Sequence, residues 1–308
     1  MRSIDVPAPV RARVRSSGEA GQRWLDELPG VVDALARQWK LEVGRSYSGG
    51  TAGVILETID DQGCPGVLKI AMALDDEGRE AFTRSVHALR LAEGRGCVRL
   101  RSVDASAAAV VLERLGPNLA ELGLSVPAIL DAVCSALALL WRPAEPAGLR
   151  SGPDQVAWLA DFIPATWDAL GRPCERSLVD RALALCGRRA DAFSPSRAVL
   201  AHGDAHGWNT VAVGDGTYRL VDPEGLWAEP EHDLSVLMRE YNGPLLEGDT
   251  STLVRARAAH LAARCEVDAD AVWEWGFIER VATGLASMRQ LGDVDGGRQF
   301  LAVAARSR

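Results

Sequence analysis

The most informative segment of the chain is His202-Gly203-Asp204-Ala205-His206-Gly207-Trp208-Asn209, which is followed by Val221-Asp222-Pro223-Glu224. This pattern suits phosphoryl transfer. It places an aspartate on a loop, an asparagine five residues later and a second aspartate after the next β-like run. One carboxylate orients or deprotonates the attacking hydroxyl, while the amide and the second carboxylate hold Mg²⁺ against nucleotide phosphates. The segment therefore predicts Asp204 as the catalytic group and Asn209 and Asp222 as ligands of Mg²⁺.

Two alternatives apply to the same segment. His202, Asp204 and His206 alternate as transition-metal ligands often do, which raises a metal-dependent hydrolase, although a zinc enzyme usually needs three protein ligands and an open position. The other histidines lie in predicted helices or a turn: His87, His232 and His260. The structural alternative makes Asp204 and Asp222 turn residues with the histidines packed against them.

The N-terminal third supplies what phosphoryl transfer from a nucleotide requires, in the expected order. Ser48-Gly49-Gly50-Thr51-Ala52-Gly53 joins two β-like runs, and its small residues allow backbone N–H groups to approach phosphate. Lys69 follows within an apolar β-like run, and the next predicted helix carries Glu80 as its partner, with Glu77 as the alternative. We therefore predict that Gly49, Gly50 and Gly53 bind the nucleotide together with Lys69 and Glu80. The chain has neither a G-x-x-x-x-G-K-[ST] nor a G-x-S-x-G motif, which argues against P-loop enzymes and serine hydrolases.

Hydrophobic periodicity divides the chain into a β-rich part and a helical part. The predicted strands are 39–43, 53–59, 67–70, 98–103 and 108–112, and the first part also has predicted helices at 23–37 and 75–93. From residue 127 the pattern is helical, with further helices at 155–170, 177–192, 251–264 and 270–291, and two short β-like runs within 199–221. We predict an α+β protein with an N-terminal domain over 1–115 and a C-terminal helical domain over 116–308.

Composition excludes several classes of protein. The 308 residues carry a net charge of −8, which argues against binding to nucleic acid or to an anionic membrane surface. The six cysteines show no close pairing, so a disulfide framework is not indicated. Because no leader-like or membrane-spanning apolar stretch occurs, we expect a soluble cytoplasmic protein, either a monomer or a weak dimer.

These motifs resemble the aminoglycoside phosphotransferase group of the protein-kinase-like superfamily. The H-G-D-x-H-x-x-N loop at 202–209 is similar to the catalytic loop of that group. The D-P-x-G form at 222–225, followed by Glu229-Pro230 and Asp233-Leu234, is closest to the aminoglycoside/hydroxyurea resistance kinases. The best-known branch of these kinases is the streptomycin 6-phosphotransferases. The similarity runs over about 23–291. It implies a two-lobed fold, with a small antiparallel sheet plus one main helix, then a larger helical lobe.

Carried over to this sequence, the resemblance implies that Asp204 is the catalytic base, that Asn209 and Asp222 hold Mg²⁺, and that Lys69 binds phosphate. It further implies that Glu113 and Leu115 flank the nucleobase of ATP or GTP. His202, His206 and Asp233 would support the catalytic loop. The chain departs from the family pattern in having Ala201, Ala205 and Trp208 where larger apolar residues or glycine are usual.

The segment after the second aspartate predicts the kind of acceptor. Only ten residues separate Asp222 from Asp233, which leaves no room for the long activation segment of a protein kinase, so the acceptor is a small molecule. Residues 222–250 contain eight acids and one base, Arg239, a local charge of −7 that would attract a cationic acceptor. The alternative is that Glu240, Glu247 and Asp249 are solvated surface charges and that the nearby aromatic pairs belong to the core. The candidate acceptor-binding residues are Trp208, Glu224, Glu240, Glu274 and Glu279.

The sequence therefore predicts an ATP-dependent kinase that phosphorylates a hydroxyl of a streptomycin-like aminoglycoside. One alternative retains the chemistry and changes the acceptor to a sugar, an amino sugar or another small alcohol. A second alternative is a catalytically silent nucleotide-binding protein on a kinase scaffold.

Overall fold

The computed structural model describes residues 4–50 and 52–307. The chain folds into two compact units, the first ending at Gly116 and the second beginning at Pro117. The sequence places this boundary between residues 115 and 116. Each unit builds its own core.

The first unit is a sheet with three helices. Its five strands pair in the order β1-β2-β3-β5-β4, and every pair is antiparallel. The strands are β1 (Glu42–Ser46), β2 (Gly53–Ile59), β3 (Pro65–Ala71), β4 (Leu100–Asp104) and β5 (Ala109–Glu113), and the helices are α1 (Ala8–Ser16), α2 (Gly18–Gln38) and α3 (Asp76–Ala92). Alternating apolar residues of β2 and β3 pack against Leu28, Val32 and Leu35 of α2, which forms the core.

The second unit is mostly helical. Its helices are α4 (Val126–Leu140), α5 (Gly152–Ala169), α6 (Arg176–Ala192), α7 (Pro230–Arg239), α8 (Asn242–Leu246), α9 (Thr250–Cys265), α10 (Ala269–Ala286) and α11 (Val294–Arg306). Its short strands are β6 (Arg150–Ser151), β7 (Val199–Ala201), β8 (Thr210–Gly214), β9 (Thr217–Leu220) and β10 (Leu226–Ala228). Helix α10 is buried on all sides, and its Trp273 and Phe277 rings lie 5.7 Å apart, so this aromatic pair belongs to the core.

The predicted α+β class is confirmed, while several element bounds differ from prediction. Helix α7 was not predicted, because its buried residues include Glu231, His232 and Asp233, which interrupt the apolar pattern. The helix predicted over 270–291 ends at Ala286 and continues as a π-helical turn, Ser287–Leu291. The six cysteines are all free thiols. Across the described part of the chain, no helix combines the length and the apolar character needed to cross a bilayer.

Candidate active site

The loop that begins the predicted site is fastened to α7 by one buried carboxylate. Asp233 Oδ2 accepts hydrogen bonds from the backbone N–H of His202 at 2.8 Å and from Trp141 Nε1 at 2.8 Å. Its Oδ1 accepts a hydrogen bond from the backbone N–H of Gly203 at 2.7 Å. Because Asp233 and His202 are fully buried, these bonds satisfy donors that water does not reach. Asp233 therefore sets the position of the backbone that leads to Asp204.

Gly203 occupies a position that only glycine fits. Its φ is +91°, a conformation that L side chains rarely adopt. A Cβ atom there would lie 2.3 Å from Leu226 Cδ1 and 2.9 Å from Glu224 Cβ. The loop thus passes in close contact with the segment that follows Asp222.

Gly203→Ala is expected to destabilise the protein by about 1–3 kcal/mol through overpacking, in addition to the backbone strain. Gly216→Ala is the matched control, because Gly216 also has positive φ, +72°, but nothing lies within 4 Å of its Cβ position. Thermal unfolding of both variants separates collision from strain. Equal losses in the two variants would show that the contact with Leu226 contributes nothing.

Three donors hold the carboxylate of Asp204. Its Oδ1 accepts from Arg239 Nη2 at 2.7 Å, and its Oδ2 lies 3.1 Å from Asn209 Nδ2 and 3.2 Å from His206 Nε2. Burial raises the pKa of Asp204, but the hydrogen bond from His206 and the charge of Arg239 outweigh it and hold the pKa well below its usual range. Asp204 is therefore ionised at neutral pH and has oxygen lone pairs with which to accept a further hydrogen bond.

Both histidines of the loop have their tautomers set by backbone N–H groups. Nδ1 of His206 accepts from Trp208 N at 3.2 Å, so in the neutral ring Nε2 carries the proton donated to Asp204. Nδ1 of His202 accepts from Asp204 N at 3.2 Å, which leaves Nε2–H to donate to the carbonyl of Val221 at 2.9 Å. Burial lowers the pKa of His202, which favours the neutral ring. The histidines thus brace the loop and are occupied by internal partners.

Asn209 and Asp222 carry oxygen atoms of the kind that Mg²⁺ prefers as ligands. Asn209 Nδ2 donates to the backbone carbonyl of Asp204 at 3.0 Å as well as to its side chain, so the amide oxygen faces the opposite way. The backbone N–H of Val221 donates to the Asn209 carbonyl at 2.8 Å, which brings Asp222 beside the loop. Asp222 has a φ of +61°, a strained conformation of the type found at functional sites. An amide oxygen and one carboxylate fit Mg²⁺, which takes its remaining ligands from phosphates and water.

The transition-metal alternative finds no support in the side-chain geometry. Among residues 4–50 and 52–307, no group of three or more His, Cys, Asp or Glu side chains is arranged to hold a metal ion. The alternation of His202, Asp204 and His206 is explained by the hydrogen bonds given above.

The candidate acceptor residues separate into two groups. Trp208 is 62% exposed. Glu224 is an exposed residue beside Asp204, and its backbone N–H donates to the His202 carbonyl at 2.7 Å. Although Glu224 is exposed as a residue, protein atoms surround its carboxyl group, and this desolvation, with the nearby charges of Asp204 and Glu279, raises the pKa of Glu224 to about 7. These two side chains border the site.

Two of the other candidates, Glu274 and Glu279, have carboxylates paired with arginines. Glu274 pairs with Arg188 at 2.5 Å and with Arg189 at 3.2 Å, and Glu279 Oε2 accepts from Arg239 Nη1 at 2.9 Å. The bond at Glu240 is to its backbone carbonyl, which accepts from Arg257 Nη1 at 2.5 Å, so the role of the Glu240 carboxylate stays a prediction. The structure therefore does not place Glu274 and Glu279 as unpaired carboxylates for a cation.

Three of the eight acids that give residues 222–250 their charge of −7 are buried, and several have structural partners. Within 222–250, Glu229 accepts from Trp275 Nε1 at 2.6 Å, Glu231 pairs with Arg197, and Asp249 caps α9 by accepting from Thr252 N at 3.3 Å. Asp233 braces the loop. Glu229, Glu231 and Asp233 are thus buried structural groups, whereas Glu247 and Asp249 are exposed, as the alternative interpretation holds for those two.

Two of the predicted nucleotide residues, Lys69 and Gly53, lie in strands of the first unit, and Gly50 lies between β1 and β2. Lys69 lies in β3 opposite Ile55 of β2 and Val110 of β5. A Cβ on Gly53 would lie 2.2 Å from the Ile70 carbonyl, and Gly50 has a φ of +103°, so both positions require glycine.

The remaining nucleotide candidates lie at the ends of elements or on α3. Glu80 lies on α3, 3.9 Å from Arg84, and Glu113 ends β5, where it accepts from Arg99 N at 2.8 Å. Thr51 lies outside the described residues. The roles of Gly49, Glu77 and Leu115 stay predictions, and so does the pairing of Lys69 with Glu80 or Glu77.

Sequence reasoning missed Arg239 and Trp141 as parts of the site. In the sequence Arg239 is distinguished only as the single base among eight acids, and that isolation is the one signal that marks it. Trp141 carries no comparable signal, because its partner Asp233 lies 92 residues away.

The fold and the site together define a protein-kinase-like small-molecule kinase. The fold is shared with a thermostable mutant of aminoglycoside phosphotransferase APH(4)-Ia in complex with ADP and hygromycin B, with a TM-score of 0.60 and 14% identity over 89% of this chain and 97% of that one. It is also shared with choline kinase LicA from Streptococcus pneumoniae, with a TM-score of 0.62 and 13% identity over 91% of this chain and 99% of that one.

The chain belongs to the aminoglycoside/hydroxyurea antibiotic resistance kinase family, whose profile matches residues 38–291. It is 27% identical to a streptomycin 6-kinase of Streptomyces glaucescens over 98% of this chain and 95% of that protein. It is 30% identical to a hydroxyurea phosphotransferase of Kitasatospora aureofaciens over 75% of this chain and 67% of that protein. The family predicted from the sequence motifs is thereby confirmed.

Proposed function

We propose that this protein transfers the γ-phosphoryl group of ATP to a hydroxyl of a streptomycin-like aminoglycoside, with Mg²⁺ as cofactor. The observation that carries the proposal is the likeness to a streptomycin 6-kinase, which spans nearly the whole of both chains. The arrangement of Asp204, Asn209 and Asp222 supports it, because the Asn209 amide bonds to Asp204 and the Asn209 backbone pairs with Val221, the neighbour of Asp222.

Asp204 accepts a hydrogen bond from the acceptor hydroxyl and orients it for in-line attack on the γ-phosphorus. Its lowered pKa makes it a weak base, which suits a loose transition state in which the attacking oxygen loses its proton late. Positioning and charge stabilisation then supply most of the catalysis.

Asn209 and Asp222 would hold Mg²⁺, whose chemistry when bound is to neutralise charge on the phosphates. On the nucleotide side, Lys69 would contact phosphate, with Glu80 or Glu77 as its partner. The backbone of Gly49, Gly50 and Gly53 would contact phosphate as well. The backbone at Glu113 and Leu115 would meet the nucleobase.

On the acceptor side we assign Glu224 and Trp208. Glu224 is a carboxylate beside Asp204, and no ion pair to it is formed by the described residues, whereas Glu274 and Glu279 are paired. A cationic acceptor group beside Glu224 would form a charge-assisted hydrogen bond, and the exposed Trp208 ring offers an apolar face for a sugar ring.

A nucleotide-consumption screen tests the proposal. Purified protein with Mg²⁺ and either ATP or GTP is offered streptomycin, other aminoglycosides, hydroxyurea, sugars and amino alcohols. Stimulation by streptomycin is the expected result. Stimulation by hydroxyurea alone would favour the second candidate function, which the 30% identical hydroxyurea phosphotransferase supports. Consumption with sugars or choline only would indicate a metabolic kinase, and no consumption with any acceptor would indicate a silent scaffold.

Glu224→Gln is expected to raise KM for a cationic acceptor by about 10-fold or more, because a hydrogen bond to a charged group contributes about 1.5–3 kcal/mol. The KM for ATP and the turnover of neutral hydroxyurea, if used, should change little. Glu247→Gln, an exposed carboxylate of the same segment, is the control. An unchanged KM for streptomycin in Glu224→Gln would remove Glu224 from the acceptor site.

A further inference from the structure

Arg239 connects the catalytic carboxylate to a second, more deeply buried one. Its Nη2 donates to Asp204 Oδ1 at 2.7 Å and its Nη1 donates to Glu279 Oε2 at 2.9 Å. Exposure falls along this chain, since the side chain of Asp204 is 30% exposed, that of Arg239 16% and that of Glu279 9%. The three groups form a line from the edge of the site into the interior of the second unit.

The two ends of the guanidinium fix its orientation. The third nitrogen, Arg239 Nε, is buried without a hydrogen-bond partner among the described residues. Because Arg239 is the last residue of α7, its side chain depends on contacts outside its own helix. Glu279 provides one of them from the middle of α10, a helix that is buried on all sides. A planar guanidinium held at two nitrogens has little freedom to rotate.

The shared guanidinium also limits how strongly it binds Asp204. Arginine tends to clamp a carboxylate through two parallel N–H groups, which would occupy both oxygens. Here Nη1 is engaged by Glu279, so Asp204 receives a single N–H from Arg239. Lone pairs of Asp204 are thereby left for an acceptor hydroxyl, and a second negative charge balances the arginine.

We propose that Glu279 is a positioning residue that acts on Asp204 through Arg239 and does not contact the acceptor. This inference rests on the proposed phosphotransfer reaction at Asp204. Without the charge of Glu279, Arg239 turns toward Asp204, competes with the hydroxyl for the carboxylate oxygens and displaces them from the attacking geometry.

The decisive variant is Glu279→Gln, which keeps the shape of the side chain and removes its charge. We expect kcat to fall by about 10-fold to 10²-fold, the range that follows a displacement of the order of 1 Å. The KM for the acceptor and the KM for ATP should stay within about 2-fold of wild type. An acceptor-binding role predicts the opposite split, in which KM for the acceptor rises and kcat is retained, and that result would overturn the proposal.

Two further variants separate positioning from general loss of structure. Glu231→Gln is the matched control, because Glu231 is also a fully buried carboxylate with an arginine partner, Arg197, but has no contact with Asp204. It should lower Tm without lowering kcat of the folded fraction, and an equal fall in kcat would contradict the proposal. In an Arg239→Met background, Glu279→Gln should cause no additional fall in kcat, and additive losses would show that Glu279 does not act through Arg239.

The test remains decisive if Glu279→Gln does not fold. Glu279→Asp retains the charge and is then compared with Arg239→Lys, which retains a cation that cannot bridge two carboxylates in the same plane. Both should lower kcat and leave KM for the acceptor unchanged, and a raised KM in Glu279→Asp alone would contradict the proposal. All ratios are measured with whichever hydroxyl acceptor the screen identifies, so a wrong acceptor assignment alters the wild-type substrate and not the comparison.

Discussion

Replacing Asp204 with asparagine is expected to lower kcat by about 10²–10⁴-fold, the range attributed to a positioned acid–base group. The amide cannot accept the hydroxyl proton, and its NH₂ group faces the donors that now converge on the carboxylate, Arg239 Nη2 and Asn209 Nδ2. Steady-state kinetics with the identified acceptor and ATP measure the loss. Calorimetric ATP binding in the presence of Mg²⁺ should change little, because the proposed phosphate contacts are made by other residues.

The control for this variant is Asp215→Asn. Asp215 is exposed between β8 and β9 with a φ of +51°, a conformation that asparagine tolerates. It should retain wild-type kcat. Turnover of Asp204→Asn near the wild-type rate would mean that the hydroxyl is oriented by another group, and the assignment of the catalytic base would be wrong.

The sequence predicted best where one segment carries both the local structure and the chemistry. Strand β2 has the predicted bounds, 53–59, because alternating apolar residues and turn-forming flanks mark it at both ends. The loop at 202–209 likewise contains both Asp204 and Asn209, which the sequence predicts as site residues. Its internal bonds, such as Asn209 to Asp204, span only five residues and follow from the spacing.

Contacts between distant residues could not be predicted from the spacing. Arg239 and Glu279 are 40 residues apart, and Trp141 and Asp233 are 92 apart, so only the packing of the helices brings them together. Glu279 was predicted to bind a cationic acceptor because it is a carboxylate near aromatic residues. Its partner is instead an internal cation, since burial of a carboxylate requires one.

The acidic segment shows the same limit. A count of charges in 222–250 describes an attractive potential only if the charges are exposed, and burial is a property of the folded chain. Glu229 and Glu231 are buried against Trp275 and Arg197. The attraction of a cationic acceptor therefore depends on single groups at the site, Glu224 first, and less on the net charge of the segment.

Asp233→Ala is expected to have the largest effect on stability of any single substitution in the second unit, a loss of about 3–5 kcal/mol. Three donors lose their acceptor at once: the backbone N–H groups of His202 and Gly203 and the indole N–H of Trp141. All lie in or beside a buried region, where an unsatisfied donor costs about 1–3 kcal/mol. Urea and thermal unfolding followed by tryptophan fluorescence measure the loss.

Trp141→Phe separates the contribution of the indole hydrogen bond to the free energy of unfolding from the contribution of the bonds to the loop backbone. It removes one of the three donors together with its hydrogen bond and leaves Asp233 to hold both backbone N–H groups, so its cost should be smaller, about 0.5–1.5 kcal/mol beyond repacking. It should also leave kcat within a few-fold of wild type, whereas Asp233→Ala should lose most of its kcat even at temperatures where it is folded. The reason is that Gly203 N fixes where Asp204 begins, and a loop released there no longer holds the carboxylate against Arg239. Equal losses of stability in the two variants would show that the bonds to the backbone of His202 and Gly203 contribute little, and that the loop is held by its packing against Leu226 instead.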